Sequence, residues 1–102
     1  MVARVAAFEG IDVKQAQSTM EEANAIIRPL VEGLAGYEGA LELATMDGKF
    51  ISITLFDSAD NAEAAEETFD KVMPEKLGHI FETWGGSRTS VERYEVVGEL
   101  RR

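Results

Sequence analysis

The sequence predicts an α+β fold in which one antiparallel sheet of four strands carries two helices on one face. Three observations predict it. Apolar residues alternate or run continuously in four short segments, whereas in two longer segments they recur every three or four positions. An Asp-Gly pair, Asp47-Gly48, separates the two middle strands, as such pairs do in tight hairpins. The resulting order, βαββαβ, is that of the ferredoxin-like fold, and 102 residues accommodate one such domain, residues 1–102.

The first strand and the first helix are distinguished by a change in the period of their apolar residues. Val2 to Phe8 is apolar except for Arg4, which predicts a strand covered on both faces. From Val13 to Leu34 the apolar residues fall on one stripe of a helix, for which Asp12 is the expected N-cap. Pro29 lies inside this helix and, because it lacks an amide hydrogen, predicts a bend there.

A β-hairpin is predicted for the middle of the chain, where two alternating segments, Ala40–Met46 and Phe50–Phe56, flank the Asp-Gly turn. Alternation divides their side chains between the two faces of the sheet, and we expect the more aliphatic face to pack against the helices. The residues of that face are Leu41, Leu43, Ile51, Ile53 and Leu55. The residues expected to face away from the helices, together with the matching side of the first strand, are Arg4, Ala6, Phe8, Glu42, Ser52, Thr54 and Phe56.

The second helix and the last strand complete the pattern. The helix is expected to begin after Asp57, with Asp57 or Ser58 as its cap, and to break or bend at Pro74. Helical spacing then resumes until Gly85-Gly86 ends it. The segment Ser90–Val97 alternates and predicts a final strand with one polar face.

The uncovered face of the sheet determines the expected assembly. Two helices cover only one face of a four-stranded sheet, and an extensive apolar face rarely stays open to water in a stable monomer. A second copy of the same sheet is the simplest cover, so we expect a homodimer that pairs sheet face to sheet face.

Composition and charge exclude several classes of function. Nineteen acidic residues against ten basic ones give a net charge of −9, which disfavours binding to nucleic acid and to anionic membranes. The chain has no cysteine and one histidine, so disulfides, thiol nucleophiles and multi-histidine metal sites are excluded within one chain. No apolar run approaches the ~20 residues of a membrane span, and the N-terminus lacks the pattern of a signal peptide. We therefore expect a cytoplasmic protein without a bound metal.

Four segments resemble the dimeric α/β-barrel superfamily, and within it the small bacterial proteins grouped with the antibiotic-biosynthesis monooxygenase domain. They are the opening strand Val2–Gly10, the Gly36-Tyr37-Glu38-Gly39 lead-in, the strand end Ile51–Ser58 and the closing strand Val91–Val96. The resemblance covers nearly the whole chain, but its motifs are structural and loosely specific. It implies sheets paired into a barrel and a ligand held between sheet and helices or inside that barrel.

Two functions of different classes are open, and the resemblance implies the first. One is cofactor-free oxygenation of a small aromatic or polyketide-like molecule by a homodimeric enzyme; the other is a non-catalytic dimeric module for ligand binding or stress response. Isomerisation and heme degradation are less favoured. Heme-degrading relatives depend on asparagine on the first strand, tryptophan on the third and histidine on the second helix. This chain lacks the asparagine, has Phe56 in place of the tryptophan, and carries its histidine, His79, after Pro74.

Three residues are candidate catalytic groups: His79, Arg4 and Tyr94. The imidazole of His79 is the one side chain whose ordinary pKa lies near neutrality, which suits acid–base chemistry. The alternative is a partly exposed histidine in a short helix. Arg4 and Tyr94 could polarise a substrate oxygen, although Tyr94 is also an ordinary strand residue.

Six further residues are candidate ligand contacts: Phe8, Glu42, Ser52, Thr54, Phe56 and Trp84. The aromatic rings would wall a pocket, although the spacing of Trp84 is equally that of a core residue. The polar side chains would anchor a ligand or pair with each other in the dimer interface, with Arg4 and Glu42 as the expected charge partners. The acidic residues of the second helix are interpreted as a solvated face: Asp60, Glu63, Glu66, Glu67 and Asp70. No organic cofactor is expected.

Overall fold

Four strands form one antiparallel sheet in the computed structural model, which describes all 102 residues. The elements in chain order are β1 (Val2–Glu9), α1 (Val13–Glu32), β2 (Tyr37–Ala44), β3 (Phe50–Phe56), α2 (Ala59–Ala64), a π-helical turn (Thr68–Val72), α3 (Met73–Trp84) and β4 (Ser87–Glu95). The strand order in the sheet is β2-β3-β1-β4, which is the ferredoxin-like topology that the sequence predicts. None of the helices has the length and apolar character needed to span a membrane.

The helix boundaries follow the predicted capping residues. The Asp12 side chain accepts a hydrogen bond from the Gln15 backbone N–H at 3.1 Å, which caps the start of α1. The helix continues through Pro29 to Glu32. At the start of α2 the Ser58 hydroxyl oxygen accepts from a backbone N–H in the same way, so Ser58, rather than Asp57, is the cap.

The second helix is broken near Pro74, as the sequence predicts, and the break takes the form of the π-helical turn. Proline has no amide hydrogen to donate within the helix, and a wider turn before it accommodates the missing bond. The turn places Phe69 over the sheet, where its ring meets that of Phe56 edge to face at 6.5 Å. Gly85, with φ of 68°, then ends α3 immediately before β4.

The prediction of which sheet face the helices cover is wrong. Strand register pairs Arg4 with Thr54, and both side chains are only 3% exposed on the helix side. The aliphatic set lies on the open face, where Leu41 and Leu43 are 60% and 48% exposed. The two sets of side chains were separated correctly, because alternation alone separates them. Alternation does not indicate which set the helices cover. Here the helices cover the face that carries the two large aromatic rings of β3, and the smaller aliphatic residues lie on the other face.

Those two rings, Phe50 and Phe56, belong to separate parts of the core. Phe50 packs in a cluster with Leu77, Ile80 and Trp84 of α3 and with residues of α1. Phe56 packs in a smaller cluster formed by Val2, Phe56, Ala62 and Ala65. Between the two rings, β3 presents polar side chains to the helices, so the apolar packing is interrupted over the middle of the sheet.

Gly86 provides a direct test of the connection between α3 and β4. It has φ of 71°, and a Cβ built on it would lie 2.5 Å from the backbone oxygen of Glu9. We expect Gly86→Ala to reduce the free energy of unfolding by about 2 kcal/mol, since both the left-handed backbone and the backbone clash oppose a side chain. Urea denaturation followed by Trp84 fluorescence measures the change at a fixed protein concentration.

Gly78 is the matched control, because it lies in α3 with no heavy atom within 4 Å of a built Cβ. Gly78→Ala should stabilise the protein by about 0.5–1 kcal/mol through reduced backbone freedom in the unfolded chain. Equal effects of the two substitutions would contradict the assigned role of Gly86.

Candidate functional site

A cavity of about 770 Å³ lies between the helix-covered face of the sheet and the helices α1 and α3. It lies beside the larger apolar cluster, whose residues form part of its wall, and over the part of β3 that turns Ser52 and Thr54 toward the helices. Alternation on β1, β2 and β3 brings their inward side chains to one wall, and helical spacing on α1 and α3 supplies the opposite wall. Cavities of this size accommodate small organic ligands.

Aromatic rings form much of the apolar wall. The Phe8 and Phe50 rings meet edge to face with centroids 6.0 Å apart, and Phe50 lies 5.8 Å from Trp84. Phe81 of α3 lies 5.1 Å from the same indole. The Trp84 N–H donates to the Thr19 hydroxyl oxygen at 2.7 Å, which fixes the indole between the helices. The wall therefore suits a flat, mostly apolar molecule.

Arg4 is the buried cation of the site. Its Nε–H donates to Oε1 of Glu66 at 2.9 Å, and its guanidinium carbon lies 4.0 Å from the centre of the Phe69 ring. Its Nη2 is buried, and no protein atom accepts a hydrogen bond from it. A buried donor without an acceptor is costly and is uncommon in native proteins. An acceptor oxygen brought by a ligand in the adjoining cavity would satisfy it.

Glu42 is the second polar group of chemical interest. It lies on the edge strand β2 opposite Ser52, whose hydroxyl donates to Oε1 of Glu42 at 3.2 Å. Part of its side chain is exposed, but the surrounding protein removes water from the carboxylate and raises the pKa of Glu42 to about 7. The hydrogen bond from Ser52 lowers the pKa and partly offsets the burial. A carboxylate with this pKa can accept and return a proton at neutral pH.

Arg4 and Glu42 stand on a diagonal across three strands. Thr54 pairs with Arg4 and Ser52 pairs with Glu42, and these two β3 residues are two positions apart on the same face. Strand spacing and rise place the Arg4 and Glu42 Cα atoms roughly 12 Å apart. One ligand of two or three fused rings can therefore contact both side chains.

The structure brings together six of the nine residues predicted for the site. Those that line the cavity are Arg4, Phe8, Glu42, Ser52, Thr54 and Trp84. They meet inside one chain, beneath the helices. The predicted charge pair of Arg4 with Glu42 is wrong, since Glu66 takes the place of Glu42 beside the guanidinium.

The other three predicted residues lie outside the cavity wall. His79 is exposed on α3. Phe56 is fully buried in the smaller core cluster. Tyr94 pairs with Ala3 on the open face of the sheet, where its hydrogen bond with Glu92 raises the pKa of its phenol. The geometry places none of these three side chains beside a ligand in the cavity.

Residues that the sequence analysis passed over complete the site. Glu66 is interpreted above as part of a solvated face, but it is half-buried and binds Arg4. Asp70 is exposed, as that interpretation expects, and pairs with Arg88 at 2.9 Å. The sequence does indicate that a partner for Arg4 exists, because an arginine inside an apolar strand requires a carboxylate somewhere in the fold. It does not indicate which carboxylate. Phe69, which the sequence analysis does not single out, also lines the cavity.

The residues present do not supply a metal centre or an imidazole for heme. No group of three or more His, Asp or Glu side chains could hold a metal ion. The single histidine of the chain is not among the residues that line the cavity. The cavity wall therefore does not fit a heme held by histidine.

Comparison with known proteins supports the fold at low sequence identity. No protein-family model and no curated protein sequence matches the chain. A proposed antibiotic biosynthesis monooxygenase from Bordetella bronchiseptica has a similar structure, with a TM-score of 0.66, 14% identity, and coverage of 94% of this chain and 96% of that one. SnoaB, a cofactor-independent oxygenase from Streptomyces nogalater, has a TM-score of 0.62 and 12% identity over 99% and 97% of the two chains.

The heme-degrading protein MhuD from Mycobacterium tuberculosis is also similar, with a TM-score of 0.63 and 20% identity over 99% of this chain and 100% of that one. These identities are too low to transfer an activity, and one fold supports many functions. The chain shares the ferredoxin-like fold of these oxygenases and of the heme degrader across nearly its whole length.

Proposed function

We propose that this protein binds a small, mostly apolar aromatic molecule of polyketide type in its cavity and oxidises it with dioxygen, without a metal or an organic cofactor. The observation that carries the proposal is the cavity itself: about 770 Å³, walled by aromatic rings, with two complementary polar groups. Arg4 offers an unused N–H to an oxygen, and Glu42 offers a carboxylate whose pKa is about 7.

The chemistry suited to this pair is proton removal from a carbon acid. Glu42 would take a proton from a CH₂ group conjugated with a carbonyl, and Arg4 would stabilise the negative charge that develops on the carbonyl oxygen. The enolate so formed is electron-rich and reacts with dioxygen. In the balanced reaction the CH₂ becomes C=O, one oxygen atom enters the product, and the other leaves as water together with the two hydrogens.

Structural similarity supports this reaction without establishing it. SnoaB shows that a similar fold can carry cofactor-independent oxygenation. The similarity to MhuD is consistent with a cavity that accepts a large flat molecule, but no histidine of this chain lies in the cavity wall. We therefore favour oxygenation over heme degradation. A non-catalytic binding module would use the same cavity. The two hypotheses are distinguished by whether the protein turns the ligand over.

The cavity is tested by filling it. Gly78 lines the cavity with open space around a built Cβ, so Gly78→Leu should extend a side chain into the ligand volume while favouring the helix. With dithranol, a tricyclic hydroxylated ketone, as probe, we expect at least tenfold weaker binding and a matching loss of oxygen uptake. Gly78→Ala should change both by less than threefold. Oxygen consumption and product absorbance are measured above the uncatalysed background.

Two results would count against the proposal in different ways. Binding of dithranol without protein-dependent oxygen uptake would establish the non-catalytic module. Equal binding by the wild-type chain and Gly78→Leu would show that the ligand does not occupy this cavity.

The role of Glu42 is tested by pH. The ionised carboxylate is the base, so turnover should rise with pH through about 7 and then level off. Glu42→Gln should lower turnover by about 100-fold or more and remove this rise. Ser52→Ala removes a hydrogen bond that lowers the pKa of Glu42, so the rise should move to higher pH. An unshifted profile in both variants would eliminate Glu42 as the base.

Stability provides an independent measure of the same group. Because folding raises the pKa of Glu42 from 4.5 to about 7, the folded state holds this proton more tightly than the unfolded state does. Its contribution to stability is fully present below pH 4.5 and is lost as the pH rises through about 7. Glu42→Gln should therefore gain stability relative to the wild-type chain across this window.

We also propose that two copies associate through the open sheet face. Ala3, Val5 and Ala7 of β1 lie on this face, and the residues paired with them across the sheet are largely aliphatic. The residues paired there are Gly39, Leu41, Leu43, Ile51, Ile53, Leu55, Ser90, Glu92 and Tyr94. Glu92 is the one charged side chain among them. A second copy would cover this surface without burying many charges.

Leu41→Glu tests the association, since it places a charge on an open-face residue that is 60% exposed in the single chain. We expect the dissociation constant of the dimer, measured by sedimentation equilibrium, to rise at least tenfold while the chain stays folded. Met46→Glu is the control, because Met46 is 71% exposed in the hairpin turn outside the strands. A wild-type chain that sediments as a monomer at micromolar concentration would eliminate the proposed dimer.

A further inference from the structure

We infer that Glu66 determines the charge of the ligand, by neutralising Arg4 so that its free N–H selects an uncharged acceptor oxygen, such as a ketone, over a carboxylate or phosphate. The inference rests on the proposed binding function and specifies its ligand class. It begins with the Arg4–Glu66 pair, in which Nε and Oε1 are 2.9 Å apart. Arg4 is 3% exposed and Glu66 is 28% exposed, so solvent screens the pair only partly.

The guanidinium is held in place by two contacts. Glu66 accepts the Nε–H at one edge, and the Phe69 ring lies 4.0 Å beneath the guanidinium carbon. Both residues come from the segment that begins at the end of α2 and passes through the π-helical turn. Neither contact uses Nη2, which keeps a buried N–H that lacks a protein acceptor. This group requires an oxygen atom, but it does not require a second negative charge.

The same balance holds for the other arginines of the cavity wall. Three arginines line the cavity, and each has a carboxylate partner within 3.5 Å. The pairs are Arg4 with Glu66, Arg28 with Glu32, and Arg88 with Asp70. The wall therefore has no surplus positive charge for a ligand that arrives as an anion. Enolate formation adds no net charge to the site, because Glu42 becomes neutral as the substrate loses its proton.

Two further carboxylates shift the wall toward negative charge. Glu42 and Glu82 also line the cavity, and neither takes part in one of the three ion pairs. The chain as a whole carries a net charge of −9. A carboxylate or phosphate that entered the cavity would lose its hydration and meet like charge, which is unfavourable. A ketone oxygen would accept the Arg4 N–H without that repulsion.

The test uses three probes with one ring system: 1-acetonaphthone, 1-naphthoate and naphthalene. Calorimetric titration of the full chain at pH 8 should give at least tenfold tighter binding of the ketone than of the carboxylate. The ketone should also bind at least threefold tighter than naphthalene, which has no oxygen for Arg4. This ratio in the unmodified chain decides the ligand class without any variant.

Glu66→Gln then tests the residue, since the amide oxygen can still accept the Arg4 N–H but carries no charge. Binding of 1-naphthoate should improve at least tenfold, while binding of 1-acetonaphthone changes by less than threefold. Glu66→Asp keeps the charge and should keep the ketone preference. Asp70→Asn removes one negative charge at the exposed pair with Arg88 and should change naphthoate binding by less than threefold.

The outcomes separate this inference from the proposed function. If the wild-type chain binds none of the three probes and does not bind dithranol, the proposed function fails. If it binds naphthalene but binds naphthoate as tightly as the ketone, the ligand class is overturned while the cavity function stands. If folded Glu66→Gln shows no gain for naphthoate, Glu66 does not set the selectivity.

Discussion

The burial of Arg4 in the middle of the sheet is the constraint on which the rest of the site depends. A guanidinium removed from water is stable only with a charge partner and hydrogen bonds, since desolvation of an ion is costly. Glu66 and Phe69 meet part of that requirement, and both come from the irregular segment between α2 and α3. The break near Pro74 therefore contributes to the site, because it shapes the segment that contacts Arg4.

The cavity follows from the order of side chains along β3, the strand that pairs with β1. Phe50 and Phe56 anchor the two ends of β3 in separate apolar clusters, and Ser52 and Thr54 between them cannot fill an apolar core. Small side chains on β1, such as Ala6, leave further room. The middle of β3 therefore contributes polar and small side chains to the layer beneath the helices. A polar row flanked by aromatic residues becomes the wall of a cavity instead of a packed layer.

The sequence was sufficient for the element order, the hairpin and the membership of each sheet face, because these depend on local period and turn chemistry. It was not sufficient to determine which of the two sheet faces the helices cover, since that choice depends on the summed packing of both layers. Nor could it pair Arg4 with Glu66, which lies 62 positions away. Five of the six predicted residues that line the cavity were found together because strand alternation kept them on one face, whereas Trp84 comes from α3.

The correction of the face changes how assembly and ligand binding are related. Had the polar row faced away from the helices, the dimer interface and the site would have been one surface. Instead Arg4 and Glu42 lie beneath the helices, while Leu41 and Ile53 lie on the opposite face of the sheet. Every group that the proposed chemistry requires therefore comes from one chain. Association on the open face would support the strands from behind, and its effect on the ligand would pass through β1, β2 and β3, which carry side chains on both faces.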